Sequence, residues 1–407
     1  MRESSALRDA QEVFCKIEEF VIVSRPFKMK VLCVAPSFYP AHVYGGPTQS
    51  IYELSRTLAR LGVEVRVLTT DANGLDNVLV VEKDKDVFLE GINVRYCRRY
   101  FRHSVSPTLL RLLRSYISWA DVVHLHYVYS FPTLPTLFQC RLCHKPVVWS
   151  PQGALQRWQG SSRRGMKAVW DFLWYYGSDR SNLTLHLTSD RERLNTSARF
   201  PSLRTSVIPN GVEVPPVIHY TERRADLRLL FLGRLDPIKG IESLLRACGN
   251  LSANVDLRWR LAIAGWGDPE YVAHIRQQIG SLGLQEYVGM VGSVTGEAKK
   301  KLFEDSDVVI VPSHSESFGL VVAEALAHGV PVIVSKGTPW SGVEQKDCGL
   351  WVENDPETLA NAIRKISAMP LRDMGLRGRD WMQREFGWSS IGQRMLDLYR
   401  ESVSGKA

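Results

Sequence analysis

Two glutamates eight positions apart, Glu316 and Glu324, stand in the segment VVIVPSHSESFGLVVAEALA, residues 308–327. The β-branched run 308–311, closed by Pro312, has the character of an inner strand of a parallel sheet. Helical spacing sets in from about Phe318, and Gly329 ahead of Pro331 is a stop signal. A helix placed there begins with unpaired amides on Phe318, Gly319 and Leu320, beside a glycine that admits a close ligand. Its dipole suits an anion, above all a phosphate. Glu316 precedes those amides and Glu324 lies one to two turns inside, so both carboxylates reach one bound molecule. In that arrangement Glu324 accepts from vicinal hydroxyls and Glu316 faces a reacting sugar. A helix-capping Glu316 with a solvated Glu324 satisfies the same spacing, which alone does not separate the two.

A second segment narrows the choice. Residues 228–245 read RLLFLGRLDPIKGIESLL, a buried strand ending at Gly233 followed by a helix starting near Lys239. Arg234 and Lys239 flank a turn at Pro237, at the carboxyl end of a strand, where open α/β sheets bind ligands. A guanidinium fork and an ammonium point charge hold a diphosphate without a metal, although a basic turn by itself is more often a solvated loop. Gly45 and Gly46 end the loop after the first strand, and without a Cβ they let backbone amides approach a diphosphate from the opposite domain.

Together the two segments resemble the glycosyltransferase group 1 family, retaining sugar-nucleotide transferases of the GT-B fold. The resemblance rests on GRLDPIKG (233–240) and ESFGLVVAE (316–324). It extends through APSFYPAHVYGGP (35–47), DVVHLH (121–126), SPQGA (150–154) and IPNGV (208–212). It implies that Arg234 and Lys239 hold the donor diphosphate, Glu324 the ribose and Glu316 the transferred sugar, while His126 lines the pocket of donor sugar and acceptor. Gly292 and Trp266 fall where the family binds the base, and Trp266 departs from the small or acidic residue expected there. The implied fold is α/β, two Rossmann-like doubly wound domains facing a cleft, with a C-terminal helix crossing back to the first domain. The implied reaction moves a hexosyl group from a nucleotide-diphosphate sugar to an acceptor hydroxyl, with no cofactor and no metal. The cations and the 318–320 amides would stabilise the leaving diphosphate. A nucleotide-sugar epimerase and a non-catalytic nucleotide-sugar binder on the same scaffold are the competing functions.

The elements that must position these residues alternate along the chain. Strands are expected at 31–35, 63–68, 122–125, 147–149, 183–187 and 205–208, then at 229–232, 261–264, 287–291, 308–311 and 330–334, with helices between, as in parallel βαβ units. Pro215 and Pro216 mark a linker. The expected organisation is an N-terminal extension over 1–28, an acceptor-binding domain over 29–212, a donor-binding domain over 213–386 and a returning helix over 387–407. Met29 is the natural start for such a chain, which makes the preceding segment an extension or a mis-assigned start. The first strand runs into APSFYP rather than G-x-G-x-x-G, which argues against a dinucleotide oxidoreductase.

Composition bounds the rest. A chain of 407 residues with 44% hydrophobic content buries two cores, and no apolar run is long enough for a membrane span. The formal charge of +8 is uneven: residues 91–120 carry Arg95, Arg98, Arg99, Arg102, Arg111 and Arg114 and no acid. Arg157, Arg163, Arg164 and Lys167 follow among Trp158, Trp170 and Trp174. This basic and aromatic mixture suits peripheral contact with an anionic membrane or an acidic, lipid-linked or sugar acceptor. No nucleic-acid motif accompanies it, so nucleic acid is not an expected partner. Seven scattered cysteines suit a reducing cytoplasm. Cys140-x-x-Cys143-His144 matches a haem or redox motif only superficially, since it ends a helix just before a buried strand. His124 and His126 share a strand face but lack an evident third metal ligand. Asp84-Lys85-Asp86, a near match to a metal-holding D-x-D, is expected in a charged surface loop.

Overall fold

Val31 to Val34 sits at the centre of a sheet because an apolar β-branched run is stable only where both faces are covered. The computed structural model describes residues 28–74, 76–101, 104–156, 164–218, 226–252 and 257–405. The extension expected over 1–28 lies, but for Lys28, outside the described residues.

The first sheet comprises β1 (Lys30–Val34), β2 (Glu64–Thr70), β3 (Asp86–Leu89), β4 (Ile92–Cys97), β5 (Val122–His126), β6 (Val147–Ser150), β7 (Leu183–Leu187) and β8 (Arg204–Val207). Its order is β3-β4-β2-β1-β5-β6-β7-β8, parallel except for the β3–β4 hairpin. Helices α1 (Gly46–Arg60), α2 (Pro107–Trp119), α3 (Thr133–Leu142), α4 (Arg164–Gly177) and α5 (Asp190–Ser197) connect it. Alternation along β1 divides the core: Val31 and Cys33 pack under α1, whereas Leu32 and Val34 pack under α2, α3 and α4.

The second sheet comprises β9 (Leu227–Leu232), β10 (Trp259–Ala264), β11 (Val288–Gly292), β12 (Val308–Val311), β13 (Val332–Ser335) and β14 (Gly349–Val352). Its order β11-β10-β9-β12-β13-β14 is the doubly wound dinucleotide-fold order, all parallel. Helices α6 (Ile241–Ser252), α7 (Pro269–Ser281), α8 (Gly296–Glu304), α9 (Leu320–Ala327), α10 (Pro356–Ser367) and α11 (Leu371–Trp381) pack around it. Along β12, Val308 and Ile310 face α6, α7 and α10, and Val309 and Val311 face α8 and α9.

The two crossings between sheets lie side by side, for the Val212 N–H donates to the Phe386 carbonyl at 2.8 Å. From there α12 (Trp388–Ser404) returns to the first sheet and lays Ile391, Met395 and Tyr399 into its core. The expected architecture is thus observed, with β3, β4 and β14 added to the expected strands. The Asp84-Lys85-Asp86 run is not wholly loop: Asp86 opens β3, where Arg95 Nε donates to its Oδ1 at 2.7 Å and Tyr116 Oη at 3.0 Å. Cys140 is buried, and desolvation pushes its thiol up, as a packed apolar group should behave.

The return of α12 is fixed by a buried relay. Tyr399 Oη donates to His124 Nδ1 at 2.6 Å, and His124 Nε2 donates to Ser150 Oγ at 2.6 Å. Ser150 Oγ donates to His186 Nδ1 at 2.6 Å, and His186 Nε2 donates to the Ile208 carbonyl at 2.8 Å. A carbonyl only accepts, so with both imidazoles held neutral by burial it sets the direction of every link. Burial drives His186 down from 6.5 to about 4 and His124 well below 6.5, with neighbouring histidines adding to the effect on His124.

These histidines stay neutral when folded yet gain protons when unfolded, so stability is complete above the ordinary histidine value and is lost as pH falls from 6.5 towards 4. Thermal unfolding should give a Tm that is flat above about pH 7 and falls steadily below about pH 6.5. His186→Asn should cost about 1–3 kcal/mol at neutral pH and make the acid slope shallower.

Candidate active site

The strand orders create two switch points, between β1 and β5 in the first sheet and between β9 and β12 in the second. Ligands of open α/β sheets bind at such points, beyond the carboxyl ends of the strands. The loops leaving β1, β9 and β12 carry most of the expected site residues.

After β9, Asp236 accepts from the Ile238 N–H at 3.1 Å and so caps the single turn Pro237–Lys239. Asp236 also lies 3.3 Å from the half-exposed Arg234 guanidinium. Gly240 ends the turn at φ 67°, and a Cβ there would stand 2.1 Å from the Pro312 carbonyl oxygen. Only glycine permits that approach, which brings the β9 loop against the β12 loop. The contact is stitched by the His314 N–H donating to the Ile238 carbonyl at 2.8 Å and by Asn354, whose side-chain amide donates to the Pro312 carbonyl. Lys239 Nζ consequently makes a direct ion pair with Glu316 Oε1, and Ser313 Oγ donates to the same oxygen at 3.0 Å. The two side chains are 21% and 13% exposed, so the pair is held from water on most sides.

Two helix starts face each other across the cleft. Helix α9 begins at Leu320 on Gly319, a left-handed cap at φ 81°, one or two residues later than expected. Helix α1 begins on Gly45 at φ 71°, and neither helix has a side chain bonded to its first amides. The capping role open to Glu316 is therefore not taken. By contrast, Ser106, Ser189, Asp268 and Asp355 occupy the first turns of α2, α5, α7 and α10. A Cβ on Gly46 would lie 3.1 Å from Leu320 Cδ2, so the starts of α1 and α9 border one space, while the Gly45 N–H is already donated to the His42 carbonyl at 2.9 Å. Uncapped N-termini of this kind attract anions.

Glu324 lies inside α9, where Lys299 Nζ of α8 approaches it to 2.6 Å. Gly292, at φ 83°, ends β11, and its carbonyl accepts from the Gly265 N–H at 2.8 Å. Trp266 is exposed beside it while its carbonyl accepts from the Leu235 N–H at 2.7 Å. His126 is placed differently from the others. It is buried, burial holds it near 3, and its Nδ1 has no hydrogen-bond partner among the described residues. The cavity it lines is bounded by Gln152, His186, Asn210 and Trp388 among others, and by none of Arg234, Lys239 or Glu316.

The loop between Glu316 and α9 is anchored by the first domain. Ser189 Oγ donates to the Ser317 carbonyl at 2.8 Å, and Thr188 Oγ1, whose proton goes to Glu192, lies 3.3 Å from the same carbonyl. Beneath them the fully buried Glu192 accepts from the Gly153 N–H at 2.7 Å, the Thr188 N–H at 2.8 Å and Thr188 Oγ1 at 2.7 Å. Desolvation raises the Glu192 pKa against the lowering effect of those bonds. The sequence reading missed Asp236, Ser313, Lys299, Asn354 and Glu192. A signal existed for two: Asp236 before Pro237 is a cap pattern, and Ser189-Asp190-Arg191-Glu192 has capping-box form. In the fold Glu192 turns from its own cap residue to the Thr188 amide.

Comparisons with known proteins bear on the fold. Residues 44–214 match the model described as Glycosyltransferase Family 4, and residues 220–381 the model described as Glycosyl transferases group 1. An uncharacterised glycosyltransferase of Methanocaldococcus jannaschii is 26% identical over 396 residues, covering 89% of this chain and 96% of the relative. Sucrose-phosphate synthase of Thermosynechococcus elongatus superposes with TM-score 0.73 at 21% identity, over 92% of this chain and 99% of that one. HepE of Anabaena, solved with UDP-glucose, gives 0.69 at 18% identity, over 92% and 100%. These likenesses show the fold, GT-B.

A Glu192→Gln variant leaves one of three buried donors without an acceptor. Thermal unfolding should register a loss of about 1–3 kcal/mol. Faster amide hydrogen exchange at Gly153 and Thr188 should accompany it, and unchanged exchange there would contradict the anchoring role.

Proposed function

The chain belongs to the glycosyltransferase group 1 family, and we propose that it transfers a hexosyl group from a nucleotide-diphosphate sugar to an acceptor hydroxyl with retention of anomeric configuration. The observation that carries this reading is the meeting of two glycine-capped helix starts beside the Lys239–Glu316 ion pair. A diphosphate placed there accepts from amides of both domains and exchanges the carboxylate partners of Arg234 and Lys239 for its own oxygens. Ribose hydroxyls take the place of Lys299 on Glu324. The UDP-glucose complex of HepE supports a nucleotide sugar as donor.

Bond cleavage at the anomeric carbon places growing charge on the leaving phosphate, where the amides and two cations act without a metal. The acceptor oxygen bonds to the same face of that carbon, and its proton passes to the leaving phosphate oxygen. Glu316 fits an orienting role better than a nucleophilic one, because Lys239 and Ser313 both engage one of its oxygens. The acceptor hydroxyl belongs to a sugar or a lipid-linked saccharide, in surface polysaccharide, lipopolysaccharide or glycoconjugate assembly at the cytoplasmic face of a membrane.

A thermal-shift screen against UDP-, GDP- and ADP-sugars should single out one donor. Arg234→Ala, Lys239→Ala and Glu316→Gln should each lower kcat by about a hundredfold or more with the fold intact, whereas Glu324→Ala should chiefly raise the donor KM. Activity should survive chelation, and the product anomer read by NMR should match the donor. Near-normal turnover in the double variant Arg234→Ala, Lys239→Ala, a strict manganese requirement, or donor consumption independent of acceptor would overturn the proposal.

A further inference from the structure

Helix α4 is apolar on two opposite sides, although only one of them is covered. Its inner side places Trp174 in the first-domain core, and Trp170 Nε1 donates to the Val128 carbonyl at 2.9 Å. Its outer side presents Met166, Val169, Phe172, Leu173 and Tyr176, between 47% and 62% exposed and spaced at one helical face. A helix apolar all round is normally enclosed, and among the described residues this outer face has no partner. The adjoining α3 extends the patch with Phe138 and Leu142, and α2 adds Leu110.

The charged side chains of these three helices are basic but for one, and Asp179, just past α4, accepts from Ser181 and Asn182. Arg111 and Arg114 on α2 and Arg141 on α3 are exposed. The three helices, 107–119, 133–142 and 164–177, hold a single carboxylate, Asp171. It is buried, with Arg199 Nη2 at 2.7 Å.

We infer that this three-helix face docks on an anionic lipid bilayer. The apolar side chains enter the boundary between headgroups and acyl chains, and the arginines remain at the level of the lipid phosphates. Helix α4 has 14 residues and spans about 21 Å, short of a hydrocarbon core of about 30 Å, so it lies in the membrane plane. Among the described residues, no helix is long and apolar enough to cross a membrane. A second copy is a poorer occupant, because a two-fold contact would set the arginines of each copy near like charges with no acid on the face to offset them. A nucleic acid is poorer still, since the centre of the patch is hydrocarbon and its cations stand at the rim.

The proposal differs from the footprint suggested by the basic and aromatic sequence pattern. Trp174 is core rather than interface, and Arg95 is engaged with Asp86. Arg102, Arg157, Trp158 and Arg163 lie outside the described residues. It rests on the transferase reading only for its purpose, carrying the enzyme to a lipid-linked acceptor.

The test is co-sedimentation of the full chain with vesicles of phosphatidylcholine alone or mixed with phosphatidylglycerol, without donor or acceptor. The wild type should pellet with the mixed vesicles and much less with the neutral ones. Phe172→Ser with Tyr176→Ser, and separately Arg111→Glu with Arg114→Glu, should each lower the partition coefficient about tenfold or more. Stabilisation by the nucleotide sugar should be unchanged in both variants, which shows that they fold and keeps this outcome apart from failure of the transferase proposal. Wild-type protein that stays in the supernatant, equal binding to neutral vesicles, or a dimer in sedimentation velocity that the Phe172→Ser, Tyr176→Ser variant abolishes would each overturn the inference.

Discussion

The site depends on the close approach of two loops at the centre of the second sheet. Strands β9 and β12 are neighbours at its switch point, and Gly240 lets the chain leaving β9 come against the Pro312 carbonyl leaving β12. A side chain at that position would separate the loops, and with them Lys239 from Glu316. The ion pair, the Ser313 bond to the same carboxylate and the Asn354 bridge all follow from that approach. The first domain then fixes the far end of the β12 loop by donating the Ser189 hydroxyl to the Ser317 carbonyl, with the Glu192 amide bonded to Ser189 and its carboxylate to Thr188.

Every expected charge in the second-domain cluster already has an opposite partner. Arg234 lies by Asp236, Lys239 by Glu316 and Glu324 by Lys299, so the three cations there are matched by three carboxylates. A strongly anionic ligand therefore gains less from this cluster than a count of arginine and lysine suggests. The additional attraction comes from two helix starts without side-chain caps, one from each domain. Backbone amides and helix dipoles are fixed before the ligand arrives and need no reorganisation, which is the property that transition-state charge requires. The existing ion pairs keep the mobile side chains in position and are exchanged rather than newly formed.

Much of this was legible along the chain. The strand and helix alternation, the two sheets and the loops GRLDPIKG and ESFGLVVAE could be read because buried parallel strands are short β-branched runs and turn residues punctuate them. The hairpin β3–β4 was overlooked for the complementary reason. An edge strand such as DVFL is half exposed and carries only a weak alternation, so its charges read as loop. His126 is one group whose surroundings come from the fold alone: resemblance assigned it to the sugar pocket, and the structure shows it buried beside a cavity that the linker and α12 also line.

By itself the sequence determined most of the strands and helices, though not β3, β4 or β14, and which charged and glycine residues stand at their ends, because those properties depend on neighbours a few positions away. The tertiary structure alone decided which partner each group meets. Lys299 reaches Glu324 from a different helix, Glu192 holds Gly153 from helix α5, and Tyr399 completes the His124 relay from 275 positions along the chain. It also left the outer face of α4 uncovered while burying the inner one. Periodicity reports that both sides are apolar; only the packing of neighbouring helices selects the side that enters the core.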